Sequence, residues 1–447
     1  GLGQAVRDAH FPQTDGALAE ARRRLTFDEG LLLQLGMAIL RSRVARERGL
    51  AMNPRGDLVA RLRASLPFKL TGAQERVWEE LRRDMAAPHP MHRLLQGDVG
   101  SGKTVVAALG VLTAIESGFQ AAVMAPTEIL AEQHFMTFRQ LLEPLGVELT
   151  LLTSSLKAKE RADRRAGLAS GSTACVVGTH ALVQEGVEFR RLGLVVVDEQ
   201  HRFGVEQRAR LRSKGEHPDL LVMTATPIPR TLALTIYGDL DVSVLDELPP
   251  GRRPVVTVAR TESKRREIYK FLREQVGAGR QVYVVYPLVE ESENLDLKAA
   301  TDMARRLADE IFPDLTIGLL HGRLGFEEKD AIMRRFKAGE IHVLVSTTVI
   351  EVGIDVPNAS VMLIEHAERF GLSQLHQLRG RVGRGEWKSY CILLTGGNLG
   401  EDAQRRIDAM TATNDGFRIA EADLDLRGPG EFFGTRQSGI PEFRAAE

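Results

Sequence analysis

Short apolar runs alternate with amphipathic stretches over most of the chain from about residue 67 onward. In the first half the runs are HRLLQG, AAVMAP, ACVVGT, LGLVVVDE and LLVMTAT, and each is followed by a helical pattern. Continuous apolar runs of this length are typical of strands that are buried on both faces of a parallel sheet. The pattern resumes with QVYVVYPLV, TIGLLHG, IHVLVSTT, SVMLIEH and SYCILLTG. We therefore predict an α/β fold with two tandem, doubly wound parallel sheets.

Changes in this pattern divide the chain into four segments. Residues 1–66 have a helical, Arg-rich pattern, in which the capping-box sequence TFDE predicts a helix start at Thr26. Pro and Gly interrupt the pattern at LPPGRRP, a predicted linker that separates a first lobe, 67–250, from a second lobe, 251–395. Residues 396–447 turn helical and then Gly-rich.

Composition adds little to this picture. The net charge is −1, so any nucleic-acid surface must be a local basic patch. Cys175 and Cys391 lie far apart in apolar runs, which predicts buried strand residues in a reducing cytosol. No stretch approaches the roughly 18–20 apolar residues of a membrane helix, so we predict no membrane association. Because the chain begins with Gly1 rather than Met, we expect it to be a fragment.

A phosphate-binding loop is predicted at Gly97–Thr104, which reads GDVGSGKT. Its glycines let backbone N–H groups wrap phosphates at a helix N-terminus, where the helix dipole also favours anions. In this motif Lys103 contacts the β- and γ-phosphates of ATP, and Thr104 binds Mg²⁺. An apolar strand before the motif and a helix after it disfavour a turn without a ligand. The other predicted nucleotide contacts are Gly97, Gly100, Ser101 and Gly102.

Two carboxylates end the later strand LGLVVVDE. Ligands bind at the carboxyl edge of a parallel sheet, so Asp198 and Glu199 are placed to act on the nucleotide. Asp198 suits Mg²⁺ ligation, and Glu199 can orient and polarise the attacking water. The alternative is a solvated charged pair, which the phosphate-binding loop upstream disfavours.

The second lobe lacks such a loop but contains QLHQLRGRVGRG, with Arg379, Arg381 and Arg384 on a predicted helix and turn. An arginine presented across a cleft can neutralise charge that develops on the γ-phosphate. The alternative is a basic helix face in water, and the arginines taken alone favour that alternative.

Eight motifs in order resemble those of the superfamily 2 helicases and cover about residues 70–384. After the phosphate-binding loop they are APTE, GTH, DEQH, TATPIPRT, HGRL, STTVIEVGIDVP and QLRGRVGR. The resemblance implies two RecA-like lobes that hydrolyse ATP, with Mg²⁺, between them and move along nucleic acid. It implies that Arg381 and Arg384 complete the ATP site, and that Gly353 and Asp355 face the nucleotide from the second lobe.

The same resemblance assigns roles to polar residues away from the nucleotide. It implies a track along the nucleic-acid backbone formed by Thr127, Thr179, Arg323 and Thr347. It implies that Thr224 and Thr226 couple the two sites. It also suggests that Gln74 reads adenine. For Gln74 the alternative is a capping box with Thr71, and the two interpretations can coexist.

A closer resemblance is to the RecG family, carried by ARRRLTFDEGLLLQL, GDLDVSVLDELPPGR and NDGFRIAEADLDLRGPGEFFGTRQSG. The last stretch resembles the TRG motif, shared with the transcription-repair coupling factor, in which a helical hairpin and loop transmit lobe closure to DNA. It implies coupling roles for Arg406, Arg427, Arg436 and Gln437. The alternative is a structural Gly-rich loop. Nothing matches the family's N-terminal wedge domain, so we expect the motor portion only.

This family implies an ATP-dependent double-stranded DNA translocase that remodels stalled forks and Holliday junctions. It further implies branched or duplex DNA and single-strand-binding protein as partners, a monomer, and a bacterial cytoplasmic, nucleoid-associated location. Three alternatives stay open: a transcription-repair coupling motor, a DExH-type RNA helicase, and a nucleotide-gated binding module. A transcription-repair coupling motor would carry an RNA-polymerase-binding domain upstream. An RNA helicase would hydrolyse ATP faster when RNA is added. The third would bind ATP without multiple turnover.

Overall fold

In the computed structural model, the described residues are 1–198, 210–225, 240–249, 254–287, 293–347, 356–397 and 399–432. The helices are α1 (Leu2–His10), α2 (Asp15–Arg46), α3 (Leu58–Ser65), α4 (Gly72–Met85), α5 (Lys103–Glu116), α6 (Glu128–Leu142), α7 (Ala158–Ser170), α8 (Arg265–Gly277), α9 (Glu293–Arg306), α10 (Phe326–Lys337), α11 (Leu372–Arg379), α12 (Glu401–Ala412) and α13 (Gly416–Phe432). Short 3₁₀ turns cover Glu143–Leu145, His180–Val183, Glu262–Lys264 and Ala367–Arg369, and a π-helical turn covers Leu307–Ile311.

The strands form two sheets. They are β1 (His92–Gly97), β2 (Gln120–Met124), β3 (Leu149–Leu152), β4 (Cys175–Gly178), β5 (Leu192–Asp198), β6 (Asp219–Thr224), β7 (Asp241–Leu245), β8 (Val256–Thr261), β9 (Gln281–Val285), β10 (Ile317–Leu320), β11 (Val343–Ser346), β12 (Ala359–Ile364) and β13 (Tyr390–Thr395). The first sheet has the order β3-β4-β2-β5-β6-β1-β7, and the second has the order β10-β11-β9-β12-β13-β8. All of these pairings are parallel, which confirms the predicted fold class.

The apolar runs form these strands because both faces of each sheet are covered. Successive strand side chains point to opposite faces. Leu95 accordingly packs in one hydrophobic cluster of the first lobe and Leu94 in the other. In the second lobe Tyr283 and Val282 divide in the same way. Each sheet therefore stands between two apolar layers, and polar chemistry is confined to its edges.

The N-terminal segment differs from its prediction in one respect. Helix α2 runs unbroken from Asp15 to Arg46, so Thr26 lies in its interior and the predicted helix start there is wrong. An N-cap residue needs a non-helical backbone, and the preceding AEARRR consists of strong helix formers that extend the helix upstream. Met52 and Leu62 are buried in the first-lobe core, upstream of the predicted lobe start at residue 67.

At the other end, helices α12 and α13 form the predicted C-terminal helical pair, which packs on α11. Asp415 caps α13, because its Oδ1 accepts the backbone N–H of Phe417 at 2.9 Å. Ser373 on α11 donates a hydrogen bond to the buried Asp423 on α13 at 2.8 Å. The hairpin is thus attached to the helix that carries the second lobe's arginines.

The two cysteines are buried in strands β4 and β13, as predicted, and burial raises both thiol pKa values to about 12. None of the described helices combines the length and the apolar composition that a membrane span requires.

Candidate nucleotide site and lobe interface

The predicted phosphate-binding loop joins the end of β1 to the start of α5. Gly100 and Gly102 have φ values of +78° and +88°, a left-handed backbone that other residues rarely adopt. A Cβ atom at Gly102 would also collide with Nε2 of Gln74, so a side chain there would require Gln74 to leave its position. A turn of this kind at a helix N-terminus is a typical cradle for anions.

Two side chains in the loop fit a phosphate ligand. The Nζ atom of Lys103 donates to the carbonyl oxygens of Gly97 at 2.7 Å and Asp98 at 3.0 Å, so the ammonium lies over the loop itself. The Oγ atom of Ser101 is buried without a hydrogen-bond partner in the described part of the chain. A buried hydroxyl of this kind is costly unless a ligand or water completes it.

Gln74 ties the loop to helix α4. Its Oε1 accepts the backbone N–H of Thr71 at 2.9 Å while Thr71 Oγ1 accepts the N–H of Gln74, which confirms the predicted capping box. Its Nε2 donates to the carbonyl of Ser101 at 2.8 Å. Both ends of the amide are therefore engaged within the protein, and adenine recognition by Gln74 stays a prediction.

A cavity of about 570 Å³ lies between the segment before helix α4 and Glu75 in the first turn of that helix. It is lined by Arg63, Ala64, Leu66, Pro67, Phe68, Lys69, Leu70 and Glu75. Phe68 is 39% exposed and presents an aromatic surface there. Phe68 was not predicted from the sequence as a site residue; its one signal there is an aromatic side chain six positions before Gln74.

The carboxylate of Asp198 lies on the same sheet edge as the loop. Strand β6 separates β1 from β5, and the register pairs Gln96 with Thr224 and Met223 with Asp198, so the three strands end level. Residue Glu199 lies outside the described residues. Thr104, in the first turn of α5, and Asp198 could together hold Mg²⁺, which typically takes one or two carboxylates and fills its other positions with water and phosphate.

His134 was not predicted from the sequence. It projects from α6, and its Nε2 lies 2.6 Å from Oδ2 of Asp198, with both side chains 12% exposed. This contact fixes the orientation of the carboxylate. The only signal for it is topological: α6 follows β2, and β2 is the neighbour of β5.

The residues predicted to track nucleic acid lie in two pairs at strand ends. In the first lobe, the segments carrying Thr127 and Thr179 follow the adjacent strands β2 and β4. Thr127 caps α6 by accepting the N–H of Leu130 at 3.3 Å, whereas Thr179 is buried and its hydroxyl lacks a partner among the described residues. Their contact with nucleic acid stays a prediction.

In the second lobe, Arg323 and Thr347 follow the adjacent strands β10 and β11. Arg323 is exposed and Thr347 is fully buried. Thr224, at the end of β6, is also buried. The remaining predicted positions Thr226, Gly353, Asp355, Arg436 and Gln437 lie outside the described residues, and for Arg427 only its place in α13 is described.

The two lobes meet at the phosphate-binding loop. The Nε2 atom of His376, on α11, lies 2.7 Å from Oδ1 of Asp98, and the side chains are 5% and 18% exposed. A Cβ atom at Gly380 would lie 2.9 Å from Cβ of Val99, so only glycine permits this approach. The loop of the first lobe therefore contacts the helix and turn that carry the second lobe's arginines.

The three arginines of that turn have different environments. Arg379 is buried and donates to the carbonyl oxygens of Met410 at 3.0 Å and Thr413 at 2.8 Å, which attaches α11 to the end of α12. Arg381 and Arg384 are half-buried, and Nε of Arg384 donates to the carbonyl of Gly380 at 3.1 Å. These environments differ from a basic helix face in water.

Arg406 extends this attachment from within the hairpin. It lies on α12 and donates to the carbonyl of Glu368 at 3.0 Å. The Glu368 carboxylate in turn accepts the backbone N–H of Gly396, just after β13. The hairpin is therefore held to the second lobe at two places: at Glu368, before α11 in sequence, and at Arg379, the last residue of α11.

Three family models match the chain. The DEAD/DEAH box helicase model matches residues 71–235, and the helicase conserved C-terminal domain model matches 263–386. The model of the ATP-dependent DNA helicase RecG, domain 3, C-terminal, matches 413–444.

Relatives match over the whole chain. The ATP-dependent DNA helicase RecG of Synechocystis sp. is 54% identical over 446 residues, which cover 100% of this chain and 54% of the relative. RecG of Escherichia coli strain K12 is 51% identical over 458 residues, which cover 100% of this chain and 66% of the relative. The chain thus spans between about half and two thirds of the length of these relatives.

A solved structure of RecG bound to a three-way DNA junction superposes with a TM-score of 0.84 at 48% identity, covering 99% of this chain and 58% of that chain. A structure of Mss116p bound to single-stranded RNA and AMP-PNP has a TM-score of 0.59 at 16% identity, covering 80% of this chain and 75% of the other. The second likeness concerns the fold alone.

Proposed function

Because the chain belongs to the RecG family of ATP-dependent DNA helicases, we propose that it is a motor that couples ATP hydrolysis to movement along double-stranded DNA. Its proposed role is to remodel branched DNA such as stalled replication forks and Holliday junctions. The observation that carries the proposal is the contact between the phosphate-binding loop and α11, which brings the two lobes together at one site.

The residues of the first lobe have the chemistry that ATP hydrolysis needs. Bound Mg-ATP supplies the phosphoanhydride whose hydrolysis drives the motor. The ammonium of Lys103 can exchange its carbonyl partners for phosphate oxygens, which are better acceptors for a cation. Thr104 and Asp198 would hold the metal, with His134 orienting the carboxylate, and we propose Glu199 as the residue that orients the attacking water.

The second lobe supplies positive charge to the same site. Arg381 and Arg384 follow Gly380 in sequence, and Gly380 packs on Val99 of the phosphate-binding loop. We assign them the role of stabilising charge on the γ-phosphate, and we assign Gly353 and Asp355 to the second-lobe wall of the site. Adenine is proposed to enter the cavity that Phe68 and Glu75 line, where the ring of Phe68 offers a stacking surface.

A DNA track is proposed along the strand ends that carry Thr127, Thr179, Arg323 and Thr347. Hydroxyl and guanidinium groups position a phosphate backbone without reading bases, which suits a motor that moves over any sequence. Thr179 and Thr347 are buried here, so the proposal requires their loops to open when DNA binds. Thr224 and Thr226 are proposed to couple this track to the nucleotide.

The C-terminal hairpin is proposed to convert lobe movement into DNA movement through Arg406, Arg427, Arg436 and Gln437. Its attachment to α11 through Arg379 supports this assignment. Replacing Arg427 should spare much of the DNA-stimulated ATPase and reduce displacement of a triplex strand. A proportional loss of both activities would instead indicate a structural role for Arg427.

The decisive experiment measures the ATPase rate of this chain with single-stranded, duplex and forked DNA and with RNA side by side. We expect duplex and forked DNA to stimulate turnover most. Equal or greater stimulation by RNA would favour an RNA helicase. Nucleotide binding without multiple turnover would favour a binding module.

A further inference from the structure

His376 occupies an unusual position, because its two ring nitrogens contact groups that belong to different parts of the molecule. Nδ1 lies 3.0 Å from Nη2 of Arg379, and Nε2 lies 2.7 Å from Oδ1 of Asp98. The side chain is 5% exposed. A guanidinium has only donors, so Nδ1 must accept a hydrogen bond from Arg379. The remaining proton is then on Nε2, which donates to the Asp98 carboxylate.

Asp98 belongs to the phosphate-binding loop and connects His376 to the backbone of that loop. Its Oδ1 also accepts the backbone N–H of Val99 at 2.6 Å, and its own carbonyl accepts the Lys103 ammonium at 3.0 Å. The carboxylate therefore holds the backbone of the loop at the point where Gly380 packs on Val99. On the other side, Arg379 is fixed by two carbonyl oxygens at the end of α12.

We propose that His376 is a positioning residue for ATP hydrolysis, which holds the loop carrying Lys103 in register with the turn carrying Arg381 and Arg384. The inference rests on the proposed ATPase activity. His376 acts on the loop through Asp98. Catalysis that needs groups from both lobes depends on their relative placement, and small displacements reduce the rate strongly. Loss of His376 should therefore lower kcat more than it raises KM for ATP.

Two substitutions separate the hydrogen bond that Nδ1 accepts from Arg379 from the one that Nε2 donates to Asp98. His376→Asn places an amide oxygen near the position of Nδ1, so it keeps the acceptor for Arg379 and loses the donor to Asp98. His376→Gln places an amide N–H near the position of Nε2, so it restores the donor. We expect His376→Asn to reduce kcat about 10- to 100-fold with KM changed by less than about threefold, since a hydrogen bond to a charged group is lost. His376→Gln should recover most of that loss.

The partner carboxylate gives the matching pair. Asp98→Asn keeps an acceptor oxygen and should stay within about threefold of the wild-type kcat. Asp98→Ala should be at least as slow as His376→Asn, because it removes the acceptor of His376 and also that of the Val99 N–H. The double variant His376→Asn/Asp98→Ala should be no slower than Asp98→Ala alone, because the His376 contact is already absent once the carboxylate is removed. Multiplicative losses in the double variant would overturn the proposal, as would an equal loss in the Gln variant.

A readout without catalysis distinguishes failure of this inference from failure of the proposed function. Hydrogen exchange at the Val99 amide, measured without nucleotide, should be faster in His376→Asn than in the wild type and normal in His376→Gln. If the wild type hydrolyses no ATP, the proposed function fails, and the exchange result still tests the contact. If exchange is unchanged in His376→Asn, the loop does not depend on His376 and the inference is wrong. Urea unfolding of each variant confirms that folded protein is compared.

Discussion

The two lobes have the same kind of parallel sheet but use its carboxyl edge differently. In the first lobe the edge ends in a glycine-rich loop, with a buried Ser101 hydroxyl and a carboxylate, Asp198, fixed by one histidine. In the second lobe the corresponding edge is closed by an internal ion pair. Arg265 donates to both oxygens of Glu365 at 2.7 and 2.8 Å, and Glu365 is 1% exposed. The edge of the first lobe can receive an anionic ligand. The edge of the second lobe is occupied by the carboxylate of Glu365.

This difference explains how one fold serves two roles. The five N–H groups of Arg265 are all engaged by Glu262, Tyr269 and Glu365, so this guanidinium has no donor left for a phosphate, and the second lobe is not expected to bind phosphates at its own edge. Its contribution to the nucleotide comes from the helix after that edge, α11, which reaches the loop of the first lobe. The first lobe holds the ligand, and the second lobe completes the site.

The largest effect is expected from Lys103→Ala in the first lobe. Removal of the ammonium takes away the fixed cation at the β- and γ-phosphates, so ATP turnover should fall below detection. Lys264→Ala in the second lobe is the matched control, because Lys264 is half-exposed and pairs only with Glu267 among its described contacts. Steady-state ATPase with duplex DNA measures both. Near-normal turnover in Lys103→Ala would show that this loop is not the catalytic cradle.

The second prediction concerns the helix side of the interface. Arg384→Ala should lower kcat by about 10³-fold or more and leave nucleotide affinity mostly intact, as expected for an arginine that acts on the γ-phosphate. Arg273→Ala, an exposed arginine paired with Asp314 in the same lobe, should have little effect. A fluorescent nucleotide measures binding alongside turnover. Loss of DNA binding with a normal DNA-free ATPase would instead assign Arg384 to the DNA track.

Local patterns in the sequence predicted the strands, the phosphate-binding loop and the Thr71 capping box, because each depends on residues a few positions apart. The same kind of pattern misled at Thr26, where TFDE lies inside α2. The contacts of His134 with Asp198 and of His376 with Asp98 could not be predicted in this way. They join residues that are distant in sequence and that meet only once the sheets are assembled and docked. Strands and motifs can be predicted from residues a few positions apart, whereas the contacts between distant residues cannot.

The third prediction uses the opposite, amino edge of the sheets. In the first lobe β1 begins with His92, whose two ring nitrogens are buried without partners in the described structure, and burial lowers its pKa from 6.5 to about 4. In the second lobe β9 begins with Gln281, a buried amide that donates to two carbonyl oxygens and does not titrate. The first lobe should therefore be the more acid-sensitive one.

The sign follows from proton binding. Between about pH 6.5 and 4 the unfolded chain protonates His92 and the folded chain does not, so acid removes stability, by up to about 3 kcal/mol in total. Burial raises the pKa of Asp219 on the neighbouring strand, which acts in the opposite direction in acid. His92→Gln should flatten the loss over this range. The free energy of unfolding is measured with urea as a function of pH in a Trp387→Phe background. The buried Trp78 is then the one remaining tryptophan, and its fluorescence reports on the first lobe. An unchanged slope would contradict the assignment.

The smallest effect compares two glutamines that occupy the same helical position in the two lobes. Gln74 and Gln374 each accept the N–H of the N-cap residue of their helix, Thr71 and Gly371. Only Gln74 is buried, and its Nε2 also donates to the carbonyl of Ser101 in the phosphate-binding loop. Replacing each by Ala removes the same kind of capping contact, and Gln74→Ala also removes the link to the loop.

We expect Gln374→Ala to cost about 0.5–1 kcal/mol of unfolding free energy and to leave KM for ATP unchanged. Gln74→Ala should cost more, about 2 kcal/mol, because a buried carbonyl also loses its donor. It should raise KM for ATP by about tenfold, since the loop is then less well ordered before the nucleotide binds. Equal KM values in the two variants would mean that Gln74 is only a helix cap. In that case the first lobe would order its loop through the glycines and Lys103 alone.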